Sequence, residues 1–366
     1  MKTEIPPIRI NGRRIGPGHP AYIVAELSCN HRGKFEKAVQ LIRAAKSAGA
    51  DAVKLQTYTP DTITLASTHP SFRIAEDNTW AGRTLYDLYQ EAFTPWDWQP
   101  KLKQIAQEQG LDLFSSPFDE TAVEFLEKMG APAYKVASFE IVDIPLIQRI
   151  ARTGKPMILS TGLADFQEIT EAVQAAQAAG ALQIAILKCT SGYPASPAEM
   201  NLAAIPHLMQ TLHLPVGLSD HTLGTEVAQA AVALGACIVE KHLILSRSDG
   251  GPDAGFSLEP DEFQHMVRGI RIVEQAIGNP TPEISEEELK NRCFRRSLFA
   301  VQDIRSGETF TPQNVRSIRP GHGLAPKYLP KVLGTKAAHD IARGTPLSWD
   351  LIASQTRSVS HAERLD

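Results

Sequence analysis

The chain has 366 residues, of which 43% are hydrophobic and 21% are charged, the composition of an ordinary globular protein. Its formal net charge of −4 gives no reason to expect nucleic acid or a membrane surface as a partner, and no stretch approaches the ~20 apolar residues of a membrane span. Residues 1–20 lack the apolar segment of a signal peptide, and the four cysteines show no metal-ligand spacing, so we expect a cytoplasmic protein with reduced thiols.

Apolar runs of strand length alternate with segments of helical period along residues 22–242. The predicted strands are residues 22–27, 52–57, 111–115, 133–137, 157–160, 184–189, 216–219 and 237–242. The helical segments between them are residues 35–48, 100–109, 120–129, 144–153, 168–179, 202–212 and 225–234, and glycine follows most of them. Strands and helices in this regular alternation predict an α/β fold, a (β/α)8 TIM barrel, in preference to an open doubly wound sheet.

A long excursion, residues 58–99, separates the second predicted strand from the third and is rich in aromatic side chains. An insertion after a barrel strand lies on the catalytic face, so the excursion either covers the site or is a structural decoration with a small core of its own. Both interpretations are left open by the sequence.

The composition changes after the barrel, first to a Pro- and Glu-rich linker and then to short β-type runs split by Gly and Pro. The predicted division is a catalytic barrel at 1–277, a linker at 278–294, a small β-rich domain at 295–353 and a polar tail at 354–366. The β-type runs of the small domain are residues 297–300, 315–317, 320–323 and 344–346. A domain of about sixty residues is near the lower limit for folding alone.

Polar side chains that can support chemistry stand at the ends of most predicted strands. They include Glu26, His31, Lys54, Gln56, Ser116, Lys135, Ser138, Ser160, Tyr193, Ser219, His221, Glu240 and His242. Because the carboxyl ends of barrel strands form one face, we expect them to converge on one mouth. Two lysines among hydroxyls suit a phosphate and a carboxylate, whereas Glu26 is either a general acid or base or a structural partner of Lys54.

Two histidines stand at the ends of consecutive predicted strands. His221 follows Ser219 by two residues, and His242 follows Glu240 by two, so each histidine shares a strand face with another polar side chain. Imidazole is a favoured ligand of mid-row divalent metals. The pair therefore predicts a metal site, against the alternative of two unconnected histidines.

Several motifs together resemble the sialic acid synthase family. They are Ala25-Glu26-Leu27-Ser28-Cys29-Asn30-His31, Lys54-Leu55-Gln56-Thr57, Tyr134-Lys135-Val136-Ala137-Ser138, Leu218-Ser219-Asp220-His221-Thr222, Glu240-Lys241-His242 and Ile318-Arg319-Pro320-Gly321-His322-Gly323. The last motif is similar to that family's antifreeze-like SAF domain, a β-clip fold. The first motif, with residues 54–62 and 246–251, is similar to the pseudaminic acid synthase branch.

The resemblance implies that phosphoenolpyruvate condenses with the open-chain aldehyde of an N-acetylated amino sugar and releases phosphate. In this branch the acceptor is 2,4-diacetamido-2,4,6-trideoxy-altrose and the product is a nine-carbon 2-ulosonic acid. A divalent metal, manganese or magnesium, held by His221 and His242 would act as a Lewis acid on the aldehyde oxygen. The implied homodimer is domain-swapped, with Arg319 of one chain reaching the sugar bound by the other.

The resemblance also assigns roles to single residues. The implied catalytic residues are Glu26, His221 and His242; the phosphoenolpyruvate ligands are Lys54, Ser116, Lys135, Ser138, Ser160 and Ser219; the sugar ligands are Gln56, Glu140, Tyr193, Asp253 and Arg319.

Three rival interpretations stand beside this one. The first is a class I aldolase with Lys135 as Schiff-base nucleophile, a reaction that needs no metal. The second is a neuraminate or legionaminate-type synthase that uses a different N-acetylated sugar. The third is a non-catalytic sugar-binding protein built around the SAF domain, against which the full set of expected polar residues argues.

Overall fold

The computed structural model describes residues 5–75, 80–279 and 281–353. The chain divides into two compact units, Met1–Gly278 and Asn279–Asp366, which are taken in turn. Among the described helices, none combines the length and the apolar character needed to cross a lipid bilayer. The four cysteines are free thiols, as the sequence predicts.

A hairpin precedes the barrel and consists of β1 (Ile8–Ile10) and β2 (Arg13–Ile15). Asn11 and Gly12 join the two strands, both with positive φ (46° and 84°), the conformation that a two-residue hairpin turn of this kind requires. The isoleucines of the hairpin pack with residues at the starts of the barrel strands, such as Tyr22. The hairpin, which the sequence analysis did not predict, therefore closes the amino-terminal end of the barrel.

Eight parallel strands in the described part of the first unit close into a barrel, which confirms the predicted fold. They are β3 (Tyr22–Glu26), β4 (Ala52–Thr57), β5 (Asp112–Pro117), β6 (Tyr134–Val136), β7 (Met157–Ser160), β8 (Ile184–Cys189), β9 (Val216–Asp220) and β10 (Ile238–His242). Each strand pairs with its neighbour in the chain, and β10 closes the barrel on β3. The strand bounds follow the predicted ones closely because strands buried on both faces are continuous apolar runs.

Helices cover the outside of the barrel. The helices of this unit are α1 (Phe35–Ser47), α2 (Pro60–Ile63), α3 (Leu85–Ala92), α4 (Gln99–Glu108), α5 (Glu120–Met129), α6 (Ile144–Ala151), α7 (Phe166–Ala178), α8 (Ala204–Leu212), α9 (Glu226–Ala233) and α10 (Pro260–Ile277). The helix after the eighth strand, α10, was missed in the sequence. Its start is marked by Pro260 in the first turn and by a capping box between Glu259 and Glu262.

The second unit is built on a small antiparallel sheet of β11 (Ser297–Ala300) and β12 (Val315–Ile318). Its own core contains Leu298, Phe310 and Leu347. The predicted run at 320–323 forms no strand in the described chain. Pro320 lacks an N–H for a strand hydrogen bond, and Gly321 and Gly323 lie so close to neighbouring backbone that a Cβ would not fit. The predicted run at 344–346 contributes only a single bridge. The remaining helices are α11 (Glu286–Lys290), within the predicted linker, and α12 (Leu329–Val332).

Candidate active site

A cavity of about 440 Å³ lies at the carboxyl ends of the barrel strands. Most of the predicted site residues line it: Lys54, Gln56, Lys135, Ser138, Glu140, Ser160, Tyr193, Ser219, His221, His242 and Asp253. Glu26 and Ser116 lie directly behind Lys54, in contact with its ammonium group. Arg319 belongs to the second unit.

The alternation of side chains along β9 and β10 determines which residues reach the cavity. His221, Glu240 and His242 line it. Asp220 and Lys241 turn to the other face, where they form a fully buried ion pair with Nζ 2.7 Å from Oδ2. Side chains at these strand ends therefore alternate between the two faces of the sheet, as the sequence predicts.

Four buried charges form the floor of the cavity: Glu26, Lys54, Lys135 and Glu240. The Lys54 ammonium pairs with Glu26 and lies 3.6 Å from Glu240 Oε1. Lys135 Nζ donates to the same Glu240 oxygen at 2.9 Å. Each buried charge thus has a partner, as its desolvation requires. Glu26 therefore forms the ion pair with Lys54 that the sequence offered as its structural role.

Burial and pairing pull the pKa values of this floor in opposite directions. Burial lowers the pKa of Lys54, but Glu240 and Glu26 outweigh it and raise that pKa. Among the described residues Lys135 forms an ion pair with Glu240 only, so burial, together with the nearby Lys54 ammonium, prevails and the pKa of Lys135 is lowered. Burial raises the pKa of Glu240, but Lys135 and Lys54 outweigh it and hold it below the usual value. An anionic ligand beside Lys135 would favour the charged form of this lysine.

The two predicted metal ligands lie side by side, with ring centroids of His221 and His242 5.4 Å apart. His221 Nδ1 lies 3.2 Å from the Thr190 carbonyl oxygen, which can only accept, so we assign the proton to Nδ1 and the lone pair to Nε2. Burial holds the pKa of His242 well below its usual value, which keeps that ring neutral. Its buried Nδ1 lies 3.5 Å from Asp253 Oδ2 and makes no hydrogen bond to any residue that the structure describes.

These features fit a divalent metal ion. Metal ions bind a neutral imidazole, the form in which burial holds His242, and a buried nitrogen without a hydrogen bond is costly unless a ligand satisfies it. Within the described residues, no three His, Cys, Asp or Glu side chains gather into a metal-binding group. The chain's own contribution would be two nitrogen ligands, with the other positions available to substrate and water.

Ser28 lines the cavity and links three of its polar residues; it was recognised in the sequence as a strand-end residue but given no role in the site. Its hydroxyl donates to Asp253 Oδ2 and accepts from Gln56 Nε2 at 3.1 Å, and its amide donates to Glu26 Oε1 at 2.8 Å. Its backbone φ is 42°, an uncommon conformation for a residue other than glycine. Its place in the first family motif was the signal that could have identified it.

Glu140 and Tyr193 complete the polar part of the lining. Burial raises the pKa of Glu140 to about 7, and its Oε2 has no hydrogen-bond partner. The Tyr193 ring packs on His221 with centroids 4.6 Å apart. One strand-end residue, His31, is not at the cavity: its Nε2 bonds Thr94 Oγ1 at 3.0 Å and holds the end of the excursion in place.

The excursion between β4 and β5 forms the outer wall of the cavity, so the covering interpretation is correct. Ile63, Ile74, Leu85, Leu88 and Ala92 face the cavity from α2, α3 and the segment between them. The sequence analysis did not identify these aliphatic residues, because they carry no motif and lie outside the barrel pattern. Glu240 was recognised as a strand-end residue but given no role in the site.

Comparison with known proteins gives consistent matches over most of the chain. The family model described as the NeuB family matches residues 41–281, and the SAF domain model matches residues 295–353. A pseudaminic acid synthase of Campylobacter jejuni is 44% identical over 326 residues, which cover 89% of this chain and 95% of that protein. A pseudaminic acid synthase of Helicobacter pylori is 43% identical over 332 residues, 90% and 97% of the two chains. The crystal structure of the spore coat polysaccharide biosynthesis protein SpsE from Bacillus subtilis superposes with a TM-score of 0.65 at 34% identity, over 95% and 99% of the chains.

Proposed function

The chain belongs to the NeuB family and carries a SAF domain, and from that premise we propose that it catalyses the pseudaminic acid synthase reaction. The substrates are phosphoenolpyruvate and 2,4-diacetamido-2,4,6-trideoxy-altrose, and the products are a nine-carbon 2-ulosonic acid and phosphate. The observation that carries the proposal is one cavity lined by two lysines, two histidines and the aliphatic side chains of the excursion. An anionic substrate and a partly apolar sugar each find a matching surface there.

Phosphoenolpyruvate would bind at the floor. Lys54 and Lys135 supply the cations. The buried Ser160 hydroxyl has no hydrogen-bond partner among the described residues, so it is available to an anionic oxygen. Gly162 donates its amide to Ser138 Oγ at 3.2 Å. A Cβ at Gly162 would lie 2.6 Å from that hydroxyl, so glycine keeps the approach open.

The reaction forms one carbon–carbon bond and replaces one carbon–oxygen bond by another. C3 of the enol phosphate bonds to the aldehyde carbon, whose oxygen takes up a proton and becomes a hydroxyl. Water adds to C2 and gives up a proton, and phosphate leaves C2 with its P–O bonds intact. A divalent metal held by His221 and His242 supplies, when bound, Lewis-acid polarisation of the aldehyde oxygen. Gln56 and Asp253 orient the acceptor, and Glu26 fixes the Lys54 ammonium or moves a proton.

We further propose that the metal is manganese or magnesium, that the enzyme works in the cytoplasm, and that the active form is a domain-swapped homodimer. In that dimer, Arg319 of one chain contacts the N-acetyl group of the sugar bound by the other.

Phosphate release from phosphoenolpyruvate, measured with altrose-, mannose- and legionaminate-type acceptors side by side, tests the reaction. We expect the highest kcat/KM with the altrose acceptor, loss of turnover after chelation and recovery with Mn²⁺ or Mg²⁺. His221→Ala and His242→Ala should be inactive but folded. A higher kcat/KM with another acceptor, or full activity after exhaustive chelation, would contradict the proposal.

Borohydride trapping with pyruvate tests the aldolase alternative, which requires a covalent adduct at Lys135.

A further inference from the structure

The motifs at the ends of β9 and β10 contain two charged residues that do not reach the cavity, Asp220 and Lys241. Each directly precedes one of the two histidines, His221 and His242. Both side chains are fully buried, with Lys241 Nζ 2.7 Å from Asp220 Oδ2. A buried ion pair adds little to stability in general, because the desolvation of the two charges offsets their attraction. The place of this pair, next to both histidines, points to a role at the metal site.

The backbone pairing of β9 with β10 stops at the same two residues. In the described register, Asp220 and Lys241 are the last residues that lie opposite each other. Beyond them the two chains take different neighbours. The His221 carbonyl accepts a hydrogen bond from the Ala195 amide at 3.0 Å, whereas His242 pairs with β3. The ladder between the two strands therefore ends before it reaches the histidines.

Side chains continue the connection beyond the end of the ladder. Lys241 Nζ donates to the Thr222 carbonyl as well as to Asp220. Asp220 Oδ1 accepts from the Thr222 amide at 2.9 Å and from the Thr222 hydroxyl at 2.8 Å. We call Asp220, Thr222 and Lys241 the buried network. His221 lies between two members of this network in the chain, and the third member directly precedes His242.

The separation of the two histidines matters because a metal ion needs both of them at once. Their ring centroids are 5.4 Å apart. A divalent ion bound by two imidazoles requires each nitrogen at a bonding distance of about 2 Å. A shift of one strand end against the other changes these distances, so affinity for the ion depends on how firmly the two ends are joined.

We propose that Asp220, Thr222 and Lys241 are positioning residues, which hold His221 and His242 at the separation that a divalent ion requires. They act from the outer face of the strands, through the backbone on both sides of His221 and directly before His242. The inference rests on the proposed function for the presence of the ion. The positioning itself is a property of metal binding and is measured without turnover.

Replacing the ion pair with uncharged side chains separates positioning from stability. The double variant Asp220→Asn, Lys241→Met leaves no charge unpaired, so the urea midpoint of the metal-free full chain should stay close to that of the wild type. Titration with Mn²⁺, followed by the electron paramagnetic resonance signal of the free ion, should nevertheless give a Kd about 10-fold higher or more, the usual effect of losing a residue that orients a metal ligand.

Tyr22→Phe is the matched control for this titration. It removes the hydrogen bond from a buried tyrosine to Asp112 at 2.6 Å, and both residues stand at the starts of their strands, at the end of the barrel away from the histidines. The variant should lower the urea midpoint and leave the Kd of Mn²⁺ unchanged.

A second variant keeps both charges and decides the question if the double variant does not fold. Thr222→Val is close to threonine in shape but lacks the hydroxyl that donates to Asp220. It should raise the Kd of Mn²⁺ by roughly 3- to 10-fold, the worth of one hydrogen bond. Thr222→Ser keeps the hydroxyl and should retain most of the affinity.

Three results would overturn the proposal: an unchanged Kd in the folded variants of the network, an equal rise in Kd in Tyr22→Phe, or no binding of Mn²⁺ by the wild type. If no acceptor releases phosphate but the expected differences in Kd are observed, the proposed function fails and the positioning role stands.

Discussion

At the scale of single residues, Lys135 has two roles that experiment can separate. It neutralises Glu240 at 2.9 Å, and it faces the cavity where phosphoenolpyruvate would bind. Lys135→Met should destabilise the protein by about 3–5 kcal/mol, because it removes one partner of a buried ion pair. It should also raise the KM of phosphoenolpyruvate roughly 10- to 100-fold, the cost of a lost charge-assisted hydrogen bond.

A double variant distinguishes the two effects. Lys135→Met with Glu240→Gln removes the unpaired carboxylate, so most of the free energy of unfolding should return in a urea titration. The KM of phosphoenolpyruvate should stay high, since the cation is still missing. If the double variant recovers a normal KM as well, Lys135 serves only as the partner of Glu240.

Glu140 predicts a pH dependence of stability. Its pKa rises from 4.5 to about 7 because of burial, so the folded protein holds this proton more tightly than the unfolded chain does. The stabilisation is fully present below pH 4.5 and is lost as pH rises through 7, a change of about 2–3 kcal/mol. Glu140→Gln cannot ionise and should therefore match the wild type at pH 5 and exceed it in stability at pH 8.

Urea unfolding at the two pH values measures this difference. Glu124→Gln, an exposed change on α5, serves as the control and should follow the wild type at both pH values. Parallel pH dependence of the wild type and Glu140→Gln would show that Glu140 does not titrate in this range.

At the scale of secondary-structure elements, Gly217 allows β9 to pack against its neighbours. A Cβ there would lie 2.4 Å from the Ile238 carbonyl oxygen and 2.7 Å from Leu187 Cδ2. The backbone of one strand cannot move without disturbing the strands paired with it. Gly217→Ala should therefore shift β9 against β10 and cost about 1–3 kcal/mol of stability. The same shift should weaken Mn²⁺ binding, since β10 ends in His242 and His221 directly follows β9.

Calorimetric titration with Mn²⁺ and urea unfolding together test this coupling. Gly255→Ala is the control, because a Cβ at that position meets nothing within 4 Å. Normal stability together with normal metal affinity in Gly217→Ala would refute the tight packing of β9 on β10.

The barrel elements were predictable because their signal is local. An apolar run that ends in polar side chains identifies a strand end, and the fold then brings residues as distant in sequence as Lys54 and Lys135 to one cavity. The pairing of Lys135 with Glu240 was not predictable, since several carboxylates were available and only the three-dimensional register selects one. The same holds for the aliphatic residues of the excursion that line the cavity, which have no distinctive pattern until the excursion is placed over the barrel mouth.

At the scale of the whole molecule, the catalytic face of the barrel exposes large apolar side chains. Phe139, Leu163 and Leu223 follow β6, β7 and β9, and are 58%, 70% and 59% exposed. Apolar side chains grouped on one face are typical of a protein–protein contact. The second unit is small, with a core of its own but few elements to stabilise it. Both features support the proposed dimer.

The domain-swapped dimer predicts complementation between two inactive chains. Glu26→Gln removes a barrel residue behind the phosphoenolpyruvate site, and glutamine keeps a hydrogen-bond acceptor for Lys54. Arg319→Ala removes the residue proposed to act on the partner's sugar. After subunit exchange, a mixed dimer has one site that combines a normal barrel with a normal Arg319. At equal mixing, half of the dimers are mixed and each has one working site of two. Phosphate release should therefore recover toward one quarter of the wild-type rate. Exchange is monitored by fluorescence transfer between labelled chains. The control mixes Glu26→Gln with His242→Ala, two barrel changes. This mixture leaves no intact site if Arg319 alone acts in trans, but it restores one site if parts of the barrel itself are exchanged. Recovery only in the first mixture supports the swap of the second unit; no recovery despite proven exchange would place Arg319 on its own chain or outside the site.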